Sequence, residues 1–319
     1  MGYRPSKFNP HQPFGVQLPI KPTFGRLPGV RKEVLQRAVR SAVHQLKGVK
    51  RLLPVSDRQW AKLDLLTTLV QRDLEARYKG SMLGNLWPLL NQLVQLLVYT
   101  YVFSIVLKVR PQIQGLPTNS LTFGFWLFAG LIPWMAFING FAQAATSVVS
   151  QPNLVKKIVF PLELLPLVPV LAAFIESLSG LIVSIALLGF TTQTVHSTLW
   201  LFPLVWIPQL LLTSGLAYLA AGLTVFLRDI PQTIGVLLNL LFYLTPIIYP
   251  ASAIPEQFRL WVFRLNPFAT VVELYRDLLL VGDVQHWMEG SALWLVSLPV
   301  FLGGRWIYQR LRPAFADVL

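Results

Sequence analysis

The sequence predicts an all-α polytopic membrane protein. It has six transmembrane helices, an N-terminal amphipathic interface helix ahead of them, and short external helices between spans five and six. Three observations predict this. Only 13% of the 319 residues are charged, where soluble domains carry about 25%. Apolar residues come in runs of about 20, enough for a helix to cross a hydrocarbon core of about 30 Å. The net charge of +13 is also concentrated, because residues 1–57 hold 11 Lys/Arg against Glu33 and Asp57. Basic charge beside a first span belongs with the cytoplasmic face and anionic lipid headgroups, so it indicates membrane lipid and not nucleic acid. The absence of cysteine removes disulfides and thiolate metal sites. No cleavable signal peptide is expected, since the N-terminus lacks an apolar core.

Residues 1–57 are read as a basic, partly disordered extension and 58–319 as the membrane domain. The first 30 residues contain Pro5, Pro10, Pro13, Pro19, Pro22 and Pro28, which prevent a sustained helix. Over 31–47, Val34/Leu35, Ala38/Val39, Ala42/Val43 and Leu46 recur at helical spacing among five basic residues, the pattern of a basic amphipathic helix. Ser56-Asp-Arg-Gln59 resembles a capping box. The helix it opens carries an apolar stripe of Leu63, Leu66, Val70 and Leu74, opposed by Asp64, Arg72, Asp73, Glu75, Arg77 and Lys79. That moment suits a helix lying in the membrane interface. The Gly80–Gly84 segment then bends the chain into the first span.

Hydropathy places the spans at about Leu86–Leu107, Phe123–Gln143, Leu164–Phe190, Leu199–Leu227, Ile234–Tyr249 and Ser291–Tyr308. The fifth is short and ends in Pro246 and Pro250. Pro255–Met288 reads as two short helices dipping at the far surface, with a single extra span as the competing reading. With the N-terminus inside, 22 Lys/Arg fall on the cytoplasmic side and 5 on the other, so both termini are expected in the cytoplasm of a multi-pass inner-membrane protein.

No phosphate-binding loop, His-Glu-x-x-His or Gly-x-Ser-x-Gly pattern occurs. His11, His44, His196 and His286 give no metal-ligand spacing. The informative residues are polar groups inside spans, each of which needs a partner or water. Trp87, Asn91, Gln95 and Tyr99 recur every fourth residue on one face of the first span, with Gln92 beside it. Asn139 and Gln143, then Glu176, Gly180 and Ser184, then Gln209 and Thr213, then Asn239 and Tyr243, mark later spans. One reading is a hydrated path of amides and rings suited to a sugar-bearing substrate. The other is hydrogen bonding that merely joins helices. Glu176, the only carboxylate deep in a span, is open to a structural, a protonated or a transport role. Trp200, Trp206, Trp287 and Trp306 read as an aromatic belt. Pro-bounded Leu154–Phe160, with Lys156 and Lys157, reads as about two turns of helix able to receive force from a soluble partner or to anchor on the inner leaflet.

Arg72-Asp-Leu-Glu-Ala-Arg-Tyr-Lys-Gly-Ser-Met-Leu-Gly-Asn-Leu-Trp-Pro-Leu-Leu-Asn91 resembles the opening of the membrane subunits of type-2 ABC exporters for polysaccharides (O-antigen, capsule and teichoic acid precursors). Phe226-Leu-Arg-Asp-Ile230, Tyr243-Leu-Thr-Pro-Ile-Ile-Tyr-Pro250, Leu265-Asn-Pro-Phe268 and Leu311-Arg-Pro-Ala-Phe-Ala-Asp-Val-Leu319 extend the resemblance over about 63–319. It implies a homodimeric permease that moves a lipid-linked glycan outward. The ATP-binding cassette ATPase subunit, in two copies, would carry ATP and Mg, leaving no cofactor and no catalytic residue on this chain. It implies a path lined by aromatic side chains of the first and fifth spans, here Tyr99, Phe103, Phe242 and Tyr243, and this agrees with the stripe of Trp87, Asn91 and Gln95 read from the residues, so the expected substrate path runs through all seven. It implies ATPase coupling through Arg72 and Arg77 of the interface helix and through Asn153, Leu154, Lys156, Lys157 and Phe160. The helices between Pro255 and Gly282 would be external gate helices. The competing reading is a type-2 permease for a small lipid or drug. A channel or carrier independent of ATP, and a glycan-transferring enzyme, fit the residues less well.

Overall fold

The computed structural model describes residues 56–106, 120–156, 160–192 and 196–319. The helix read over 31–47, and Lys157, lie outside them. Among the described residues every regular element is helical. Helix α1 is Asp57–Arg77, starting where the capping box places it. Helix α2 is Trp87–Tyr99 and continues as a π-helix over Thr100–Val106. Helix α3 is Ser120–Thr146, α4 is the single turn Pro152–Val155, and α5 is Leu167–Thr192. Helices α6 and α7 are Phe202–Phe226 and Ile230–Leu244. Helices α8 and α9 are Glu256–Leu265 and Pro267–Arg276, and α9 runs on as a π-turn to Val281. Helix α10 is Trp287–Leu311, and α11 is the terminal turn Phe315–Val318.

Four of the described segments are long and apolar enough to cross a membrane: Thr122–Thr146, Leu162–Thr191, Ser197–Phe226 and Trp287–Val318. Helix α7, with 15 residues, spans about 22 Å at 1.5 Å per residue. It starts earlier than its hydropathy suggests and stops at Leu244, because Pro246 cannot continue the backbone ladder. Two short helices occupy 256–276, so the single extra span read as an alternative there is incorrect: Asn266 turns the chain between them, accepting the Phe268 N–H at 3.1 Å. Of the segment read as about two turns over Leu154–Phe160, the described part is one helical turn at Pro152–Val155, its start set by Pro152 at the first position; residues 157–159 lie outside the described residues.

Helix α3 is the central element. Phe123, Leu127, Phe128, Leu131, Ile132 and Phe137 are all buried, in one cluster with Phe268, Val271 and Tyr275 of α9. Helices α6 and α10 cross at Gly215 and Gly304. A Cβ on Gly304 would stand 2.1 Å from the Gly215 carbonyl oxygen, and one on Gly215 would stand 2.5 Å from that of Val300. Such backbone approach is how apolar helices gain packing energy where burial from water is not the driving force. The π-helix at Thr100 has a neighbour that accounts for its position. A Cβ on Gly124 would meet Thr100 Oγ1 at 2.1 Å, so the widened turn leans directly onto a glycine of α3. Trp206 is not in a belt. It packs edge-on to Phe174 at 5.5 Å between helices, because its face of α6 turns toward α5. Trp200, Trp287 and Trp306 are exposed.

Candidate functional site

The polar stripe of α2 runs along the border between its packed and open faces. Leu96 is buried, Gln95 and Tyr99 are half-buried, and Trp87 and Asn91 are exposed. Gln95 Nε2 lies 3.5 Å from the Tyr99 hydroxyl, a weak donor contact along one face. Gln92 turns the other way, its amide oxygen against Gly180 of α5. The backbone of Phe103 lies in the π-helix. On α7, Tyr243 is 65% exposed, while Phe242 is half-buried and meets Trp134 at 5.7 Å. Asn139, Gln143 and Asn239 are exposed. The structure therefore leaves Trp87, Asn91 and Tyr243 accessible and sets Gln95, Tyr99 and Phe242 at the edge of the packed core.

Other polar residues join helices. Gln209 is fully buried, donates to the Pro133 carbonyl at 2.8 Å and accepts from the Tyr275 hydroxyl at 3.0 Å. That chain ties α6 to α3 and α9. Thr213 donates back to Gln209 O within its own helix at 2.9 Å. The polar face of α5 is likewise internal, with Gly180 under Gln92 and Ser184 buried.

Glu176 has defined partners. Arg77 Nη1 donates to Glu176 Oε2 at 3.1 Å and the Tyr78 hydroxyl donates to Oε1 at 2.8 Å, while Arg77 also binds Asp73 at 2.8 Å. Burial, then the hydrogen bond and charge of Glu176, push the Tyr78 phenol up to about 12, so it remains a neutral donor at physiological pH. Lys62, near the other end of α1, binds Glu163 just ahead of α5. Helix α1 is thus clamped near both ends onto carboxylates of one neighbouring segment. Arg77 is engaged inside the chain, whereas Arg72 is exposed.

The bend after α1 is built from Gly80 at φ 83° and Gly84 at φ 51°, with open space where either Cβ would go. Alanine there costs about 1–2 kcal/mol per position through the backbone alone. Gly80→Ala with Gly84→Ala is expected to lower the melting temperature in detergent by several degrees.

The turn Pro152–Val155 is anchored from behind. Val155 is buried with Val148, Leu162, Leu165, Tyr218, Tyr308 and Phe315, and Leu154 and Phe160 pack against that cluster. Asn153 and Lys156 remain exposed. Two hydroxyls hold the turn that follows: Tyr308 donates to Leu162 O at 2.9 Å and Tyr218 to Glu163 O at 3.0 Å. The side chain of Glu163 also faces Arg305 of α10 at 3.7 Å.

At the other end, Asp277 accepts from the backbone N–H groups of Gln285 and His286 at 2.9 and 3.2 Å, and its Oδ2 is 2.8 Å from His286 Nδ1. The Asp277 hydrogen bond raises the His286 pKa above its usual 6.5; burial opposes this, and the charges of Asp277, Glu273 and Glu289 add to the rise. A raised basic group stabilises the fold fully below its unfolded pKa, and the contribution disappears as pH rises through the folded one. Thermal unfolding in detergent is therefore expected to show wild type losing, as pH rises above the usual histidine value of about 6.5, an increment of stability that His286→Gln lacks.

Sequence reasoning missed Arg276 as a functional residue, counting it only as an outside charge. It is 2% exposed and donates to Pro246 O at 2.8 Å, Ile247 O at 2.7 Å and Trp126 O at 3.3 Å. It also pairs with Glu273 at 2.8 Å and stacks 3.5 Å over the Trp126 ring. A lone arginine in an apolar helix was the available signal.

Comparison with known proteins fits this architecture. An O-antigen export system permease from Klebsiella pneumoniae is 30% identical over 259 residues, covering 80% of this chain and 95% of that protein. An O-antigen export system permease from Myxococcus xanthus is 34% identical over 257 residues, covering 79% and 94%. A polysialic acid transport protein from Escherichia coli is 24% identical over 250 residues, covering 76% and 91%. The family model for the ABC-2 type transporter matches residues 64–280. That match takes in α1 to the end of the π-turn after α9, and the chain belongs to the ABC-2 type transporter family.

Proposed function

We propose that the chain is the permease subunit of an ATP-driven exporter that moves a lipid-linked polysaccharide, of O-antigen or related type, outward across the inner membrane. The observation that carries this is similarity to O-antigen export permeases over four-fifths of the chain and nearly all of theirs. The chain itself is a transport subunit and not an enzyme. An ATPase partner supplies hydrolysis, with ATP and Mg bound there.

Several features of the geometry support a finer reading. Helix α2 with its π continuation, and α7, bring the four long segments to six crossings, and the excess of basic residues ahead of α2 favours cytoplasmic termini. Val94, Leu97, Val98 and Tyr101 of α2, and Val236, Leu237, Leu240 and Leu244 of α7, are exposed. Such faces suit a second copy across a central path, with two ATPase subunits below. Asn91 and Gln95 can bond sugar hydroxyls while Trp87, Tyr99, Phe242 and Tyr243 offer ring faces, and Phe103 is assigned to the same path. Exposed Arg72, Asn153 and Lys156, with Lys157, meet the ATPase, while Leu154 and Phe160 transmit its push inward. Arg77 acts through the clamp on Glu176.

The test is surface glycan in a strain dependent on this permease and its ATPase. Tyr99→Ala with Tyr243→Ala is expected to reduce surface glycan about tenfold, the loss of one to two ring contacts, at unchanged permease level. Full surface glycan would sink the path assignment. Export without the ATPase would sink the exporter reading itself.

A further inference from the structure

We propose that the outer end of α7 is a fixed pivot, built by Arg276 and Asn266, about which the rest of α7 swings as a lever during export; this rests on α7 lining the path proposed above. The burial along α7 is uneven. Between Ile230 and Leu244 only Ile234 is buried. Immediately beyond, Thr245 and Ile247 are fully buried. The same three residues, Thr245–Ile247, carry nearly all the polar attachments. Asn266 Nδ2 donates to Thr245 Oγ1 at 2.7 Å while its Oδ1 caps α9. Thr245 in turn donates to Leu241 O at 2.7 Å, closing the last turn of α7. Arg276 binds the carbonyls of Pro246 and Ile247, so two buried carbonyls just beyond the helix end are taken up by one guanidinium.

That guanidinium also holds α3, through Trp126 O and the Trp126 ring. A Cβ on Gly130 would stand 2.9 Å from Arg276 Nη2, so α3 offers the room the arginine needs. Three elements therefore meet on one buried cation. Separating any of them strands a charge or a carbonyl away from water. Among the described residues the inner end of α7 is attached to its neighbours by apolar contact, Ile234 against Ala145 and Ala220. Apolar contact is non-directional, so sliding there breaks no hydrogen bond. A rod held by directional bonds at one end and by apolar contact at the other moves at the second. The motifs Thr245-Pro246 and Asn266-Pro267 are then two halves of one bearing, 21 residues apart.

The chain has no cysteine, so paired cysteines can be bridged specifically with a short bifunctional thiol reagent carrying a reducible linker. With the ATPase present, bridging Thr245→Cys to Asn266→Cys, which restores covalently the link that the two substitutions remove, is expected to raise ATP-driven glycan export above its unbridged level. Bridging Ala220→Cys to Ile234→Cys is expected to abolish export, with reductant restoring it. Loss of export on bridging the outer pair overturns the pivot, and so does export that survives bridging the inner pair. A single-site series gives a second reading. Thr245→Ser keeps the acceptor and should export normally, whereas Thr245→Val and Arg276→Lys, which loses the fork, should each cost about tenfold in export while ATP hydrolysis persists. Normal export by both overturns the proposal. A cysteine-free parent that shows no ATP-driven export sinks the exporter reading, whereas an active parent with an inactive outer-bridged variant sinks the pivot alone.

Discussion

Gly304→Ala is expected to destabilise the folded protein by about 1–3 kcal/mol, the cost of forcing extra carbon into packed structure, while Gly303→Ala is expected to be neutral or slightly stabilising. The two glycines are adjacent in α10 and differ only in what they face. A Cβ on Gly304 meets the Gly215 oxygen at 2.1 Å and its carbonyl carbon at 2.9 Å. These are backbone atoms that cannot rotate away. A Cβ on Gly303 meets nothing within 4 Å, and alanine there gains about 1 kcal/mol of helix propensity. Detergent melting curves separate the two, with a drop of several degrees expected for Gly304→Ala alone. Equal melting of both variants would show that α6 and α10 do not cross at Gly215 and Gly304.

The consequence reaches the turn proposed to meet the ATPase. Tyr218 of α6 and Tyr308 of α10 lie below that crossing, ring centroids 5.3 Å apart. Their hydroxyls hold Glu163 O and Leu162 O. Moving the helices apart pulls both donors off the turn that follows the coupling segment. Export should therefore fall further than stability in Gly304→Ala, and more steeply still in Gly304→Leu.

What the sequence made legible follows from what periodicity encodes. Apolar runs gave the long helices of the bundle to within a few residues, because hydropathy and helix length are local. The capping box gave Ser56 as the start of α1, because its logic spans four residues. The π-helix at Thr100–Val106 was not legible, since its neighbour, Gly124, is set by packing. Nor was the internal role of Gln209 and Gln92. A stripe at every fourth residue identifies a face but not which helix the face meets, so path and glue look alike until the neighbour is known. Asn91 and Gln92 are adjacent, yet one is exposed and the other packs on Gly180. The same limit hid Arg276, whose acceptors are 29, 30 and 150 residues away.

Glu176→Ala is expected to uncouple export from ATP hydrolysis as well as lower stability. Its two donors, Arg77 and Tyr78, come from a segment 99 and 98 residues earlier, so the carboxylate is the only acceptor on α5 that fixes the end of α1. Removing it leaves a guanidinium with 18% of its side chain exposed and one remaining partner, Asp73. Breaking a buried pair costs about 3–5 kcal/mol, and the surviving Asp73 contact places this case toward the lower figure. Glu176→Gln retains an acceptor for Arg77 and an amide for the Tyr78 hydroxyl, so it should keep most of the stability. The Gly80–Gly84 bend starts three residues after Arg77. If the clamp determines how motion of α1 enters that bend, Glu176→Ala should hydrolyse ATP at near the normal rate yet export about tenfold less per ATP, with Glu176→Gln between it and wild type. Transport per ATP unchanged in a Glu176→Ala protein that merely melts earlier would reduce the clamp to a structural brace. An intermediate Glu176→Gln ratio would instead place the conversion of ATPase motion at the Arg77–Glu176 contact, one bend away from the face that carries Asn91.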